Sequence, residues 1–278
     1  MQNGTFKTAD GVSLYTMDAP VAGAKAIVCI VHGIGEHIGR YTHVAQYLNG
    51  RGYAVFGHDH RGHGRSDGER VYFDSFDIPV RDLKARVEAV RAGHPGLPVF
   101  IYGHSMGSLI ATLFMEKHQD MVRGWISTGS PLWVDQAVPA PVRLLLRSLS
   151  KIVPKMGVLP VKAETISRDP AVVRAYEADP LVNHEKTKLG MAVNFTDALG
   201  AARASLDKIM APSLIVHGTG DVLTLPKGSE VLYAGIASKD KTHKTYDGLY
   251  HEVHNEPEQA EVLADIADWL DKRVVNPS

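Results

Sequence analysis

A single cysteine, Cys29, stands among 278 residues, so no internal disulfide can form. Its place in the apolar run "AIVCIV" reads as a small buried hydrophobe, and such usage fits a reducing compartment. The chain also lacks an excess of either charge, with 30 basic and 31 acidic side chains giving a net charge of −1. Without a global field to draw in phosphate backbones, a nucleic-acid partner is disfavoured. No apolar stretch approaches the ~20 residues that span a bilayer, and the polar start "MQNGTFKTADG" carries no basic-then-apolar signal pattern. The expectation is a cytoplasmic protein. Internal repeats and low-complexity tracts are missing too, which argues for one domain over residues 1–278 and against a repeat array.

What is present is 44% hydrophobic side chain, enough to bury one large core. Short β-rich runs, "KAIVCIVHG", "YAVFGHD", "LPVFIYG", "VRGWISTG" and "PSLIVHG", are continuously apolar, as strands buried on both faces of a parallel sheet should be. Between them apolar residues repeat at helical spacing: Val80, Leu83, Val87 and Val90, then Met106, Leu109, Ile110, Leu113 and Phe114, then Val262, Leu263, Ile266, Trp269 and Leu270. The last helix is expected to open at "NEPE", with Asn255 as its cap. "GTFKTAD" and "VSLYTMD" read as a hairpin on the sheet edge. Alternation of strand and helix predicts an α/β fold with a mostly parallel central sheet. From about Pro131 to Thr187 the alternation stops, and helical patterns with prolines replace strands. We read 131–187 as a helical cap inserted in the domain.

The stretch Gly103-His104-Ser105-Met106-Gly107 follows one strand-like run and opens one amphipathic helix. It matches G-x-S-x-G, in which a strained strand-to-helix turn lifts the serine hydroxyl above the sheet edge and aims the first helical amides at the atom it attacks. A serine needs a base, and the base an orienting acid, in the chain order Ser, Asp or Glu, His. Asp221 ends "LIVHGTGD" at the carboxyl edge of a strand, and His251 lies in "YDGLYHEVHNE" before the last helix. Asp247 is an alternative acid and His254 an alternative base. The oxyanion would be held by the amide of Met106 and by that of Ile34, in the loop "VHGIGEH" after an earlier strand.

Taken together, "HGIGEHIGRY", "GHDHRGHGRSDG", "GHSMGS", the acid of "GTGD" and "YHEVHNEPE" resemble the monoacylglycerol lipase and lysophospholipase branch of the α/β-hydrolases. These blocks run from Val31 to Glu258 in the expected order. The resemblance implies an α/β-hydrolase fold with a helical cap, hydrolysis of single-chain acyl esters, and no cofactor. It assigns the nucleophile to Ser105, the acid to Asp221, the base to His251 and the oxyanion amides to Ile34 and Met106. In relatives that handle glycerol esters, positions matching Glu36, Arg40 and His254 line a polar pocket for the alcohol. Ser108 replaces a glycine found in many members.

His58, Asp59, His60 and His63 have the side-chain types of metal ligands, but the resemblance assigns their loop to structure, and no metal is expected. In the cap, "PVRLLLRSLSKIV" places Val142, Leu145, Leu146, Leu149, Ile152 and Val153 on one face and Arg143, Arg147 and Lys151 on another. We expect Leu145 and Leu149 to line an acyl site. The basic stripe is expected to face water or lipid head groups, in a transient contact with a membrane or micelle. The function expected is a serine carboxylester hydrolase acting on monoacylglycerols or similar esters through an acyl-enzyme. A lysophospholipase, a short-chain esterase, a peptidase or acyltransferase, and a catalytically silent lipid-binding protein are the alternatives.

Overall fold

The structure, a computed structural model, describes residues 1–158 and 162–274; residues 159–161 of the expected cap lie outside it. The polar start forms β1 (Gln2–Lys7) and β2 (Ser13–Ala19), an antiparallel pair. Then follow β3 (Ala26–Val31), α1 (Thr42–Gly50), β4 (Tyr53–His58), α2 (Asp77–Gly93), β5 (Val99–His104), α3 (Met106–His118) and β6 (Gly124–Thr128). After the cap the rhythm resumes with β7 (Ser213–Gly218), α7 (Lys227–Gly235), β8 (Lys241–Tyr246) and α8 (Gln259–Val274). The strands form one sheet in the order β1-β2-β4-β3-β5-β6-β7-β8, parallel from β4 to β8 and antiparallel at the β1-β2 edge.

The apolar runs are continuous because both faces of the sheet are covered. Along β3, Ile27, Cys29 and Val31 pack into the core shared with α2 and α3, whereas Ala26, Val28 and Ile30 pack toward α1 and α8. Burial pushes the Cys29 thiol up to about 12, so it stays a neutral, unreactive hydrophobe. One expectation is corrected at α8: the helix begins at Gln259, and the side chain of Asn255 donates to Glu252 Oε2 at 2.8 Å instead of capping it. Among the described residues no helix is long and apolar enough to cross a membrane.

The cap contributes α4 (Ala140–Ser150) and α5 (Pro170–Ala178), and it is followed by α6 (Leu189–Arg203), which packs against both α4 and α3. Between α4 and α6 the β pairing among the described residues is limited to one isolated antiparallel bridge, Gly157 with Lys188. Because β3 and β5 are neighbours although β4 separates them in the chain, the strand order reverses there. That reversal opens a crevice at the carboxyl edge, the usual ligand position in open α/β sheets.

Candidate active site

The crevice is built by the loops that leave β3, β5, β7 and β8. At the end of β5 the backbone of Ser105 is forced to φ 54° and ψ −119°, a conformation that only a tightly held turn sustains. Two glycines make the turn feasible. A Cβ on Gly107 would lie 1.9 Å from the Val31 carbonyl oxygen, and one on Gly103 would lie 2.6 Å from that of Gly107. The α3 helix therefore packs directly on β3, with Met106 as its first residue immediately after Ser105. Ser108 Oγ lies 2.6 Å from Ser127 Oγ on β6, which gives the departure from glycine a buried hydrogen-bond partner.

The turn after β7 and the loop after β8 meet at Asp221 and His251. His251 Nδ1–H donates to Asp221 Oδ2 at 2.7 Å, and the acid's other oxygen accepts the amides of Leu223 at 2.7 Å and Thr224 at 3.1 Å. Burial alone would raise the Asp221 carboxyl, but the charge of His251 and hydrogen bonds from His217 and His251 hold it well below the ordinary carboxylate range. For His251 burial disfavours the cation, and the adjacent Asp221 carboxylate outweighs it, so the imidazole is raised above its ordinary value. The rival acid, Asp247, is instead bonded by Thr219 Oγ1 at 3.1 Å, away from the imidazole. His254 is buried between Tyr41, whose ring stacks on it at 4.9 Å, and Tyr102, whose hydroxyl lies 3.2 Å from its Nδ1. Burial drives it down to about 3, so it is neutral.

Beside the crevice the loop after β3 carries Gly33, Ile34 and Glu36. The Gly33 amide donates to Glu36 Oε1 at 2.6 Å, the Tyr41 hydroxyl adds a second bond at 2.8 Å, and Arg40 Nη1 donates to Glu36 Oε2 at 2.7 Å. Arg40 also forms a bidentate pair with Glu252, both bonds at 2.6 Å, and its guanidinium lies over the Tyr176 ring of α5 at 4.8 Å. Two buried carboxylates thus share one cation. Burial raises the Glu36 carboxyl, with Arg40 opposing; burial also acts on Glu252, but Arg40 prevails and holds it below its ordinary value. Behind this loop, of the histidines with metal-ligand character, His60 Nε2–H donates to the His32 carbonyl at 3.1 Å and His63 Nδ1–H to the Arg61 carbonyl at 2.9 Å. His32 Nδ1–H donates to the Gly33 carbonyl at 2.8 Å while its Nε2 accepts the His60 amide at 2.9 Å. Asp59 accepts the amides of Ile38 at 2.7 Å and Arg65 at 2.8 Å.

A cavity of about 560 Å³ joins these parts. Ser105, His104, His251, Gly33, Ile34, Glu36 and Glu252 form its floor, and Leu144, Leu146, Ile166, Tyr176, Met191 and Phe195 are among the side chains that roof it. Of the sequence-derived candidates, Ser105, His251, Ile34 and Glu36 lie on its wall and Asp221 stands behind His251. Arg40 and His254 stand one layer back. In the cap the register of α4 differs from expectation. Leu144, itself 67% exposed, and Leu146 line the wall, whereas neither Leu145, 66% exposed, nor Leu149 is among the lining side chains. The helix leaves its apolar face only partly covered, with Val142, Leu144 and Leu145 all exposed. Arg143 and Arg147, expected to face water, also border the cavity; Arg143 donates to the Asp135 and Val138 carbonyls at 2.9 and 3.1 Å, and Arg147 pairs with Asp197 of α6. Nothing in the sequence alone points to Glu252, Thr224 or His217 as parts of this site. Glu252 was legible only as the neighbour of His251, since its partner Arg40 is 212 residues away in the chain.

A buried parallel sheet, a strained serine at an elbow and an Asp–His pair delivered from the last two strand ends define a serine hydrolase of the α/β-hydrolase fold. The chain belongs to the Hydrolase_4 family, described as serine aminopeptidase, S33, whose model matches residues 22–258. It is 37% identical over 270 residues to the monoacylglycerol lipase of Mycolicibacterium smegmatis, covering 96% of this chain and 95% of that protein. It is 35% identical to the monoglyceride lipase of Homo sapiens, with 95% and 89% covered. Among solved structures, the Paleococcus ferrophilus monoacylglycerol lipase superposes with a TM-score of 0.82 at 30% identity, covering 94% of this chain and 99% of that one.

Proposed function

We propose that this serine hydrolase cleaves monoacylglycerols and related single-chain esters, with Ser105 as nucleophile, His251 as base and Asp221 as orienting acid. The observation that carries the substrate class is the shape of one cavity. Its roof is largely apolar, its volume of about 560 Å³ can hold an acyl chain, and its lining includes Ser105 together with two carboxylates, Glu36 and Glu252. Such a wall accepts hydrogen bonds, so it suits the hydroxyls of a glycerol-like alcohol. A lysophospholipid would bring its phosphate against two carboxylates balanced by a single arginine, which disfavours that reading. Named relatives are lipases of the same class.

In the proposed cycle His251 takes the Ser105 proton as the hydroxyl adds to the ester carbonyl. The amides of Ile34 and Met106 hold the oxyanion, the alcohol leaves with the proton from His251, and water completes hydrolysis with His251 acting again. Glu36 and Glu252 bind the alcohol, Arg40 holds both carboxylates in place, and His254 supports this wall through Tyr41 and Tyr102. Residues 131–187 act as the lid. Its exposed Leu145, Ile152 and Met156, beside Arg147 and Lys151, make transient contact with a membrane or micelle surface; the setting is the cytoplasmic side, in keeping with the one buried thiol. The test is a hydrolysis panel over monoacylglycerols, lysophospholipids, aryl esters and aminoacyl amides, with fluorophosphonate labelling of Ser105. Preference for monoacylglycerol supports the reading, and preference for an aminoacyl amide or a failure to label overturns it.

A further inference from the structure

One buried imidazole beside the catalytic acid has no part in the cycle above. His217, on β7, is wholly inaccessible to solvent, and its Nε2 lies 3.0 Å from Asp221 Oδ2, the same oxygen that accepts His251 Nδ1–H. A carboxylate can only accept, so Nε2 carries a proton, while the other ring nitrogen, Nδ1, is buried with no partner among the described residues. A leucine at this position would pack on the same core without stranding a polar atom, so the imidazole is costly to the fold. What it supplies is a third donor to one oxygen. Thr224 Oγ1 donates to Asp221 Oδ2 at 2.8 Å as well, and a carboxylate oxygen has two lone pairs to divide among the three.

We propose that His217 is a positioning residue that shares the Asp221 carboxylate with His251 and thereby limits how strongly Asp221 holds the His251 proton. The inference rests on the triad reading given above. Without the His217 donor, the charge on Oδ2 falls more fully on His251 Nδ1–H, the imidazolium is over-stabilised, and the base stays protonated to higher pH. The other charged or titratable groups around this pair are His104 from β5, whose ring lies 4.7 Å from that of His251, Glu36 and Arg40 after β3, and Glu252 and His254 after β8. His243 stands on the neighbouring strand β8, two residues from the register partner of His217. None of these others donates to Asp221 Oδ2.

The first measurement needs no variant: nitrogen-15 NMR of the intact protein should find a proton on His217 Nε2, and an Nδ1–H tautomer with Nε2 bare overturns the proposal because Nε2 could not then donate. The second is the pH profile of kcat/KM on a soluble aryl ester for His217→Leu, with His217→Met as a second variant of similar volume. The acid limb should move to higher pH by a factor of about 3 or more in the apparent acid constant, with the high-pH plateau and KM within about 3-fold of the parent. The His251 Nδ1–H proton resonance should move downfield. A folded variant whose acid limb coincides with the parent's overturns the role, even if its plateau or thermal stability changes, since a merely structural histidine would alter only those. Asp221→Asn separates the two readings: retained activity there means the triad assignment has failed, whereas a loss of several orders of magnitude with a silent His217 means that only the present inference has.

Discussion

Ser105 shows how much one residue's conformation demands of its surroundings. Its positive φ is sustained because the flanking glycines let α3 lie against β3, and the turn places Ser105 on the wall of the cavity that His251 also lines. Ser105→Ala or His251→Ala should each lower kcat by ~10⁴ to 10⁶, and the double variant by little more, because the residues act as a unit. Single-turnover kinetics on an aryl ester will check this. Asp221→Asn should be nearly as damaging and Asp247→Asn close to neutral; the reverse ranking would exchange their roles. The base also sets a pH dependence. Since His251 works as a neutral imidazole and its value lies above the ordinary ~6.5, activity should fall on acidification through an apparent pKa higher than that reference. A flat rate from pH 5 to 8, with chemistry limiting, would speak against histidine.

At the scale of elements, the base of the cap is tied to the catalytic loops. The Glu252 amide donates to the Ile166 carbonyl at 2.8 Å, Ser167 Oγ to the Asn255 carbonyl at 2.9 Å, and the Asn183 amide to the Gly35 carbonyl at 2.7 Å. Tyr176 covers Arg40, so α5, the turn after β3 and the loop after β8 share one ionic centre. Arg40→Ala would leave Glu36 and Glu252 buried without a counter-charge. That should cost ~3 to 5 kcal/mol of stability, read by denaturant melts, and should weaken turnover of monoacylglycerol and aryl ester alike because Glu36 also holds the Gly33 amide. The α4 helix behaves differently. Leu146 lines the cavity, so Leu146→Ser should cost long-chain monoacylglycerol ~1.5 to 3 kcal/mol of binding while sparing an acetyl ester. Leu145→Ser should leave chain-length selectivity unchanged for dissolved substrate and reduce turnover of substrate presented in vesicles. Loss of selectivity in the Leu145 variant would mean that α4 turns in use.

Across the whole molecule, buried histidines govern acid stability. Burial holds His58 and His254 near 3 and His63 near 4, so each is neutral in the fold but protonates in the unfolded chain below ~6.5. The unfolded state then binds more protons, and stability is lost as pH falls from ~6.5 toward 4, by up to ~1.4 kcal/mol per pH unit for each group. His251 acts with the opposite sign, its contribution being present below ~6.5 and lost as pH rises through its elevated value. Thermal melts of the parent from pH 4 to 7 should therefore show a declining Tm on the acid side, and His58→Leu should flatten that slope by about one proton. An unchanged slope would place the acid sensitivity in the carboxylates.

Local pattern carried much of this protein. Strands covered on both faces must be apolar throughout, so their runs were legible without a structure, and the elbow was legible because its glycines and serine are needed at fixed spacing within five residues. The order Ser105, Asp221, His251 was legible because it matches the serine, acid, histidine order that accompanies the G-x-S-x-G elbow, with each residue just after a strand-like run. Contacts that join distant segments left no such mark. That Arg40 is spent between Glu36 and Glu252, that Asn255 serves the site and not α8, and that Leu146 takes the place expected of Leu145 all depend on how the cap seats on the sheet. Helical spacing names a face only to within a residue or two, whereas a salt bridge across 212 positions exists only once β3 and the loop after β8 have been brought side by side.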